Sequence, residues 1–181
     1  MNLSLNEPAN IAMFRKLVAA MTSLAPQLEL RFSPSGLSCQ GMDNCQVCLF
    51  DLVLTAGWFE EYDCAEESLT IVVYGAILEK VLTMHSSGQR LCLSSAAGGE
   101  HLDITMSSAD DACKKEYTLP IFTEGKEVIT LPSTDNSDIE VTLRAASLSS
   151  LIKQLGQFGS NLRVSVSHEA FSLSASGENG D

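Results

Sequence analysis

One local pattern occurs twice in this chain, and it constrains the fold more than any other feature. Between Asn10 and Leu24, Ile11, Phe14, Leu17, Val18, Met21 and Leu24 recur at helical spacing, and Pro26 closes the segment. An alternating strand follows, Leu28-Glu29-Leu30-Arg31-Phe32. Pro34-Ser35-Gly36 then turns the chain into Leu37-Ser38-Cys39. At an offset of 136 residues the pattern returns: Leu28 matches Val164, Leu30 matches Val166, Leu37 matches Leu173, Ser38 matches Ser174 and Gly41 matches Gly177. The second copy stops four residues after its glycine, whereas the first runs on to about residue 120. The chain reads as one and a half helix–strand–strand units.

The remaining elements follow from periodicity. Val47 to Leu54 reads as a strand, Gly57 as a break, and Phe59–Tyr62 and Leu69–Val73 as strands. Ala76 to Met84 reads as a short helix with Ile77, Val81 and Met84 on one side. Leu91–Leu93, Leu102–Met106 and Glu116–Leu119 resume the sheet. Pro120 to Asp138 mixes Pro, Gly, Thr and Asp around one apolar island, Val128-Ile129-Thr130-Leu131, and reads as a linker. Beyond it, Ile139–Leu143 reads as a strand, Leu148–Phe158 as a helix, and Leu162–Val166 and Phe171–Ala175 as strands. The domain boundaries expected from this order are 1–118, a connecting segment 119–136, and a partial second domain 137–181.

Composition excludes several functions. With 45% apolar and 19% charged residues, the chain has the makeup of a folded protein. The best apolar run, Leu69 to Leu78, is ten residues long, too short for a membrane helix. No basic segment precedes an apolar run at the N-terminus, so secretion is not expected, and the six cysteines are expected to be reduced. Cys45 and Cys48 form a lone C-x-x-C without a second half at zinc spacing. The surrounding Gln46-Val47-Cys48-Leu49-Phe50-Asp51-Leu52 reads as a strand. On a strand, positions i and i+3 point to opposite faces, so the two sulfurs diverge and the pair is expected to pack rather than to bind metal or cycle. His85, His101 and His168 are scattered, and no Walker loop, G-x-G-x-x-G or G-x-S-x-G occurs. Neither a catalytic residue, a metal nor a cofactor is expected.

The charge is unevenly placed. The net charge is −12, which argues against coating nucleic acid with the whole surface. Yet the three helix-bearing segments, 8–28, 71–90 and 144–163, hold seven of the eleven basic residues: Arg15, Lys16, Lys80, Arg90, Arg144, Lys153 and Arg163. They hold one of the 23 acids, Glu79. An acidic chain that gathers its cations on its helices is expected to present them to a polyanion, through salt-sensitive, sequence-independent contacts.

The run Gly36-Leu37-Ser38-Cys39-Gln40-Gly41-Met42-Asp43, continuing through Val47-Cys48-Leu49 to Gly57-Trp58-Phe59-Glu60-Glu61-Tyr62-Asp63-Cys64, resembles the eukaryotic-type DNA sliding clamps, the proliferating cell nuclear antigen family. So do Phe171-Ser172-Leu173-Ser174-Ala175-Ser176-Gly177-Glu178, the Arg15-Lys16 helix, and Leu131-Pro132. The resemblance extends from about Ala9 onward. It implies an α+β DNA-clamp fold, with helices lining a concave face packed on antiparallel sheets, one complete domain and part of a second. It further implies a nuclear, non-enzymatic processivity factor that encircles double-stranded DNA without reading bases and docks DNA polymerase and other clamp-binding peptides. By position, Arg15, Lys16, Lys80 and Lys153 would contact phosphates. Met42, Gln46, Val47, Leu49, Ile129, Leu131 and Pro132 would form the partner-peptide pocket beside the connecting loop.

Three departures accompany the resemblance. His168 stands where the family accepts ubiquitin and SUMO on a lysine, Gln46 replaces a histidine at the pocket mouth, and the sequence stops at Asp181 within the second domain. Self-association as a ring is therefore expected only if the complete chain is present. The alternative reading is a truncated interaction module that binds peptides without closing a ring on DNA. A third, the related checkpoint clamp, fits the Q-x-M-D run less well.

Overall fold

The computed structural model describes residues 1–96, 98–110, 112–122, 129–130, 139–167 and 170–177. It divides into two compact units, Met1–Thr130 and Leu131–Asp181.

In the first unit, helix α1 (Pro8–Leu24) starts with Pro8, whose fixed φ and missing N–H suit the first turn. Ile11, Phe14, Val18 and Met21, three or four residues apart, form its buried stripe. The helix stops where Ala25 becomes extended, its N–H donating to the Met21 carbonyl at 2.9 Å, just before Pro26. Four strands, β2 (Gln27–Ser33), β3 (Gly36–Met42), β4 (Leu49–Thr55) and β6 (Leu69–Tyr74), make an antiparallel sheet in the order β4-β3-β2-β6. Five others, β1 (Asn2–Leu5), β5 (Glu61–Asp63), β7 (Gln89–Ser94), β8 (His101–Ser108) and β9 (Lys114–Pro120), make a second antiparallel sheet ordered β5-β1-β7-β8-β9. Period-two alternation drives both: Leu28, Leu30 and Phe32 of β2 and Leu91 and Leu93 of β7 point into one continuous core with α1 and helix α2 (Gly75–Thr83). The architecture is α+β, with two helices and two antiparallel sheets sharing the one core.

Two contacts position the sheets. Gly36 has φ +144°, and a Cβ there would meet the Leu54 carbonyl oxygen at 2.1 Å, so only glycine allows the β2–β3 turn to nest against β4. The Tyr62 hydroxyl lies 2.8 Å from the Ser33 carbonyl and 2.7 Å from the Gly36 carbonyl, tying that turn to β5 of the other sheet. Tyr62→Phe is expected to lower unfolding free energy by about 1 kcal/mol, measured by urea denaturation, because two partly buried carbonyls lose their donor. An unchanged midpoint would show that water replaces the hydroxyl.

Several sequence expectations shift. Helix α2 buries Gly75, Leu78, Val81 and Leu82, while Ile77 and Met84 are exposed, so the stripe Ile77–Val81–Met84 is not its core face. The cause is Gly75. An added Cβ would stand 2.6 Å from Thr22 Oγ1 and 3.2 Å from Leu28 Cγ, and this close approach turns the Gly75–Leu78–Leu82 edge inward. Gly57 breaks the strand as expected, within a short 3₁₀ turn, Ala56–Trp58, between β4 and β5, and β5 begins at Glu61 rather than Phe59. Strand β4 starts at Leu49, two residues later than expected, because residues 43–48 form a loop.

The second unit holds helix α3 (Ala145–Leu155) and the antiparallel hairpin β10 (Leu162–Val166) with β11 (Phe171–Ala175). Residues 139–143, expected as a strand, pair with no strand among the described residues. The repeat is real in topology but its offset differs. Ser33 pairs Gly36 in the first copy, and the Ser167 N–H donates to Ala170 O at 2.9 Å in the second, so the hairpins align at 134 residues rather than 136. A two-residue slip leaves inward and outward faces unchanged, so apolar matching alone does not distinguish the two offsets. Ala175 is the one buried residue among those described in this unit.

Candidate functional site

The helical surface of the first unit comes from α1 and α2 lying side by side. Their polar faces are what remains after the core stripes turn inward. Arg15 and Lys16 follow the buried Phe14, and Lys80 sits between buried Leu78 and Val81. A groove of about 350 Å³ separates the helices, lined by Ala12, Arg15, Lys16, Ala19, Glu79 and Thr83. The small alanines leave it open, and two cations face it together with the single acid of these helices. Lys80 is exposed on the neighbouring position of α2. Lys153 is exposed in the last turn of α3, in the second unit.

The segregation of positive charge is narrower than the segment count suggests. Arg90 lies on β7, ion-paired with Glu61, and its Nη2 donates to Ser4 Oγ at 2.9 Å. Arg163 lies on β10 and Arg144 at the N-cap of α3. The helix-borne cations are thus Arg15, Lys16, Lys80 and Lys153.

A second surface lies on the outer face of the β4-β3-β2-β6 sheet. Opposite residues share a face, so Ser38/Val53, Gln40/Asp51 and Met42/Leu49 run along one side of the β3–β4 pair. Here Gln40 acts as a substitute peptide group. Its Nε2 donates to the Ile129 carbonyl at 2.9 Å, and its Oε1 accepts the Ile129 N–H at 2.7 Å. Ile129 is thereby held against β3, two positions from Met42, with its side chain 41% exposed. Met42 and Leu49 are half-buried, and Val47 is 85% exposed, so none of these belongs to the core. Leu131, Pro132 and His168 lie outside the described residues, as does most of the expected linker.

The loop carrying Gln46 and Val47 is built around Asp43. Its carboxylate accepts the N–H groups of Cys48 (2.7 Å), Val47 (2.8 Å) and Cys45 (3.3 Å), and Gln46 adopts φ +58° to complete the turn. The amides of Cys48 and Val47 are the main reason the Asp43 carboxyl is held below the usual carboxylate range. The loop therefore keeps this support at neutral pH and loses it only as pH falls through that lowered value. Cys45 and Cys48 are both exposed here, not paired on a strand, which corrects the expectation that they pack. Among the described residues no group of three or more His, Cys, Asp or Glu could hold a metal.

Sequence reasoning quoted Gln40 only as part of a motif and passed over Val53. Alternation with Ser38 and Met42 already put Gln40 on the outer face, but nothing local in sequence announced Ile129 as its partner.

Two antiparallel sheets over one core, covered by two helices with cations on their open side, define a clamp-type domain. The family model "Proliferating cell nuclear antigen, N-terminal domain" matches residues 6–128. The chain belongs to the proliferating cell nuclear antigen family. It is 22% identical over 170 residues to the "Proliferating cell nuclear antigen" of Dictyostelium discoideum, covering 93% of this chain and 65% of that protein. It is 21% identical over 173 residues to "Proliferating cell nuclear antigen 1" of Plasmodium falciparum (isolate K1 / Thailand), covering 95% and 63%. With the "Proliferating cell nuclear antigen" of Chaetomium thermophilum it shares 22% over 170 residues, covering 94% and 65%. The chain thus spans a little under two thirds of the length of these relatives.

Proposed function

We propose that this chain acts as a non-enzymatic sliding-clamp subunit, a processivity factor that holds double-stranded DNA by phosphate contacts and docks replication and repair proteins. In this reading Arg15, Lys16, Lys80 and Lys153 face the backbone, and Met42, Gln46, Val47, Leu49, Ile129, Leu131 and Pro132 receive partner peptides. Residues 1–118 act as the clamp domain, 119–136 as the connecting loop and 137–181 as part of a second clamp domain. Assembly as a trimeric ring with further copies, and work in the nucleus, belong to the same proposal.

The observation that carries it is the Gln40–Ile129 pair, which holds an exposed apolar residue on the sheet face that also carries Met42 and Leu49. Such a strip suits the apolar anchors of a short peptide. The test is fluorescence anisotropy of a labelled 20-residue peptide carrying Q-x-x-aliphatic-x-x-aromatic-aromatic, titrated with the chain. Gln40→Ala is expected to weaken binding roughly threefold to tenfold, the loss of about 1 kcal/mol as Ile129 is freed, with melting temperature nearly unchanged. Unaltered affinity in both Gln40→Ala and Val47→Asp would overturn the docking assignment.

A further inference from the structure

We propose that Cys45 and Cys48 form a reversible dithiol–disulfide pair, oxidised by hydroperoxides and reopened by small thiols. The basis is the Asp43 loop. The Cys45 N–H donates to Oδ2 and the Cys48 N–H to Oδ1 of the same carboxylate. The two cysteine backbones therefore meet at one small group within a single tight loop, the local proximity that a disulfide, with Cα atoms about 4.4–6.8 Å apart, requires. The Asp43 N–H donates to the Cys48 carbonyl at 2.9 Å and the Gln46 N–H to the Asp43 carbonyl at 3.0 Å, so both ends of the loop are anchored. Gln46, at φ +58°, reverses the chain between the thiols, whereas a strand would have sent them apart.

Access separates this pair from the other cysteines. Both thiols are exposed. Cys39 is buried in the core, and burial pushes its thiol up to about 12. Cys64 is buried as well, and burial also raises the Cys92 thiol. Cys113 is exposed but belongs to the β8–β9 loop, where it accepts a hydrogen bond from Gln89 Nε2 at 3.7 Å.

The chemistry balances with one peroxide. One cysteine thiolate attacks a peroxide oxygen; the O–O bond breaks, a sulfenic acid forms, and the departing oxygen takes a proton and leaves as water. The second sulfur then attacks the sulfenic sulfur, the S–O bond breaks, and the hydroxide leaves as water with that thiol's proton. Two thiols are oxidised by two electrons and hydrogen peroxide is reduced to two waters. A dithiol reverses the step through a mixed disulfide. The pair stands on the loop geometry and is independent of peptide docking.

The test treats the full chain with equimolar hydrogen peroxide, blocks remaining thiols with iodoacetamide, and maps them by mass spectrometry. The expected result is a peptide spanning both residues that lacks two hydrogens and takes up no iodoacetamide. Dithiothreitol restores both sites, and Cys113→Ser changes nothing. In Cys48→Ser, dimedone is expected to trap a sulfenic acid at Cys45 with no intraloop link. Wild-type chain that stays alkylatable at both positions would overturn the proposal. So would irreversible sulfinic acid at either one without a cross-link, or linkage of either to Cys113.

Discussion

In hydrogen–deuterium exchange on the full chain, the amides of β10 and β11 are expected to exchange at least about two orders of magnitude faster than those of β2, β3, β7 and β8. Protection reports the free energy of the opening that exposes each amide, and it runs from near zero in poorly buried segments to the global value in a core. The core strands pair on both sides and their inward leucines are within 1% of complete burial. In the second unit, Leu162, Val164 and Val166 are 39%, 56% and 39% exposed, and α3 has no buried residue. A two-stranded hairpin without a covered apolar face is marginal in water. Equal protection in both units would mean that the apolar side chains of α3 and β10 are covered in solution, and a second copy of the chain would be the first candidate to examine.

The second large effect concerns the helical groove. Combining Lys16→Glu with Lys80→Glu is expected to flatten the salt dependence of duplex binding by roughly two units in the log–log slope, since each phosphate contact contributes about −0.9. Affinity at low salt should fall by one to two orders of magnitude, because each reversal also adds a repulsive charge. Glu79 already occupies this groove beside Arg15 and Lys16, so Glu79→Gln is expected to act in the opposite direction, strengthening binding a few-fold at low salt. A titration of labelled duplex at several salt concentrations reads all three. A slope unmoved by the double reversal would remove these lysines from the phosphate-facing set.

How much was legible in sequence depends on which interactions organise each element. Strands β2, β3, β7 and β8 were readable because each alternates over a single core, and α1 because its stripe is uninterrupted. The inward edge of α2 was not, because it is set by a missing side chain at Gly75 meeting Thr22, a contact between residues 53 positions apart. The end of the Asp43 loop reads as strand in sequence because Val47, Leu49 and Leu52 resemble a β segment, while the carboxylate that gathers three amides leaves no periodic trace. The cations of α1 and α2 were found by simple counting, yet Arg90 was counted with them although its partner Glu61 lies on another strand of the sheet. The docking residues came from resemblance, and Gln40, which holds one of them, followed only from three-dimensional proximity.

The Gln40–Ile129 pair has a consequence for how any chain could approach this face. A β-strand grows by offering unpaired N–H and C=O groups to a newcomer, and an extended apolar segment lying open is a common seed for such growth. At Ile129 both groups are already spent on a side-chain amide. The residue shows its aliphatic side chain to solvent while its backbone is closed to ladder formation. Any chain approaching at this point would have to be recognised by the shape of its side chains, and sticky, unspecific strand addition between copies of the chain is discouraged at this exposed apolar residue.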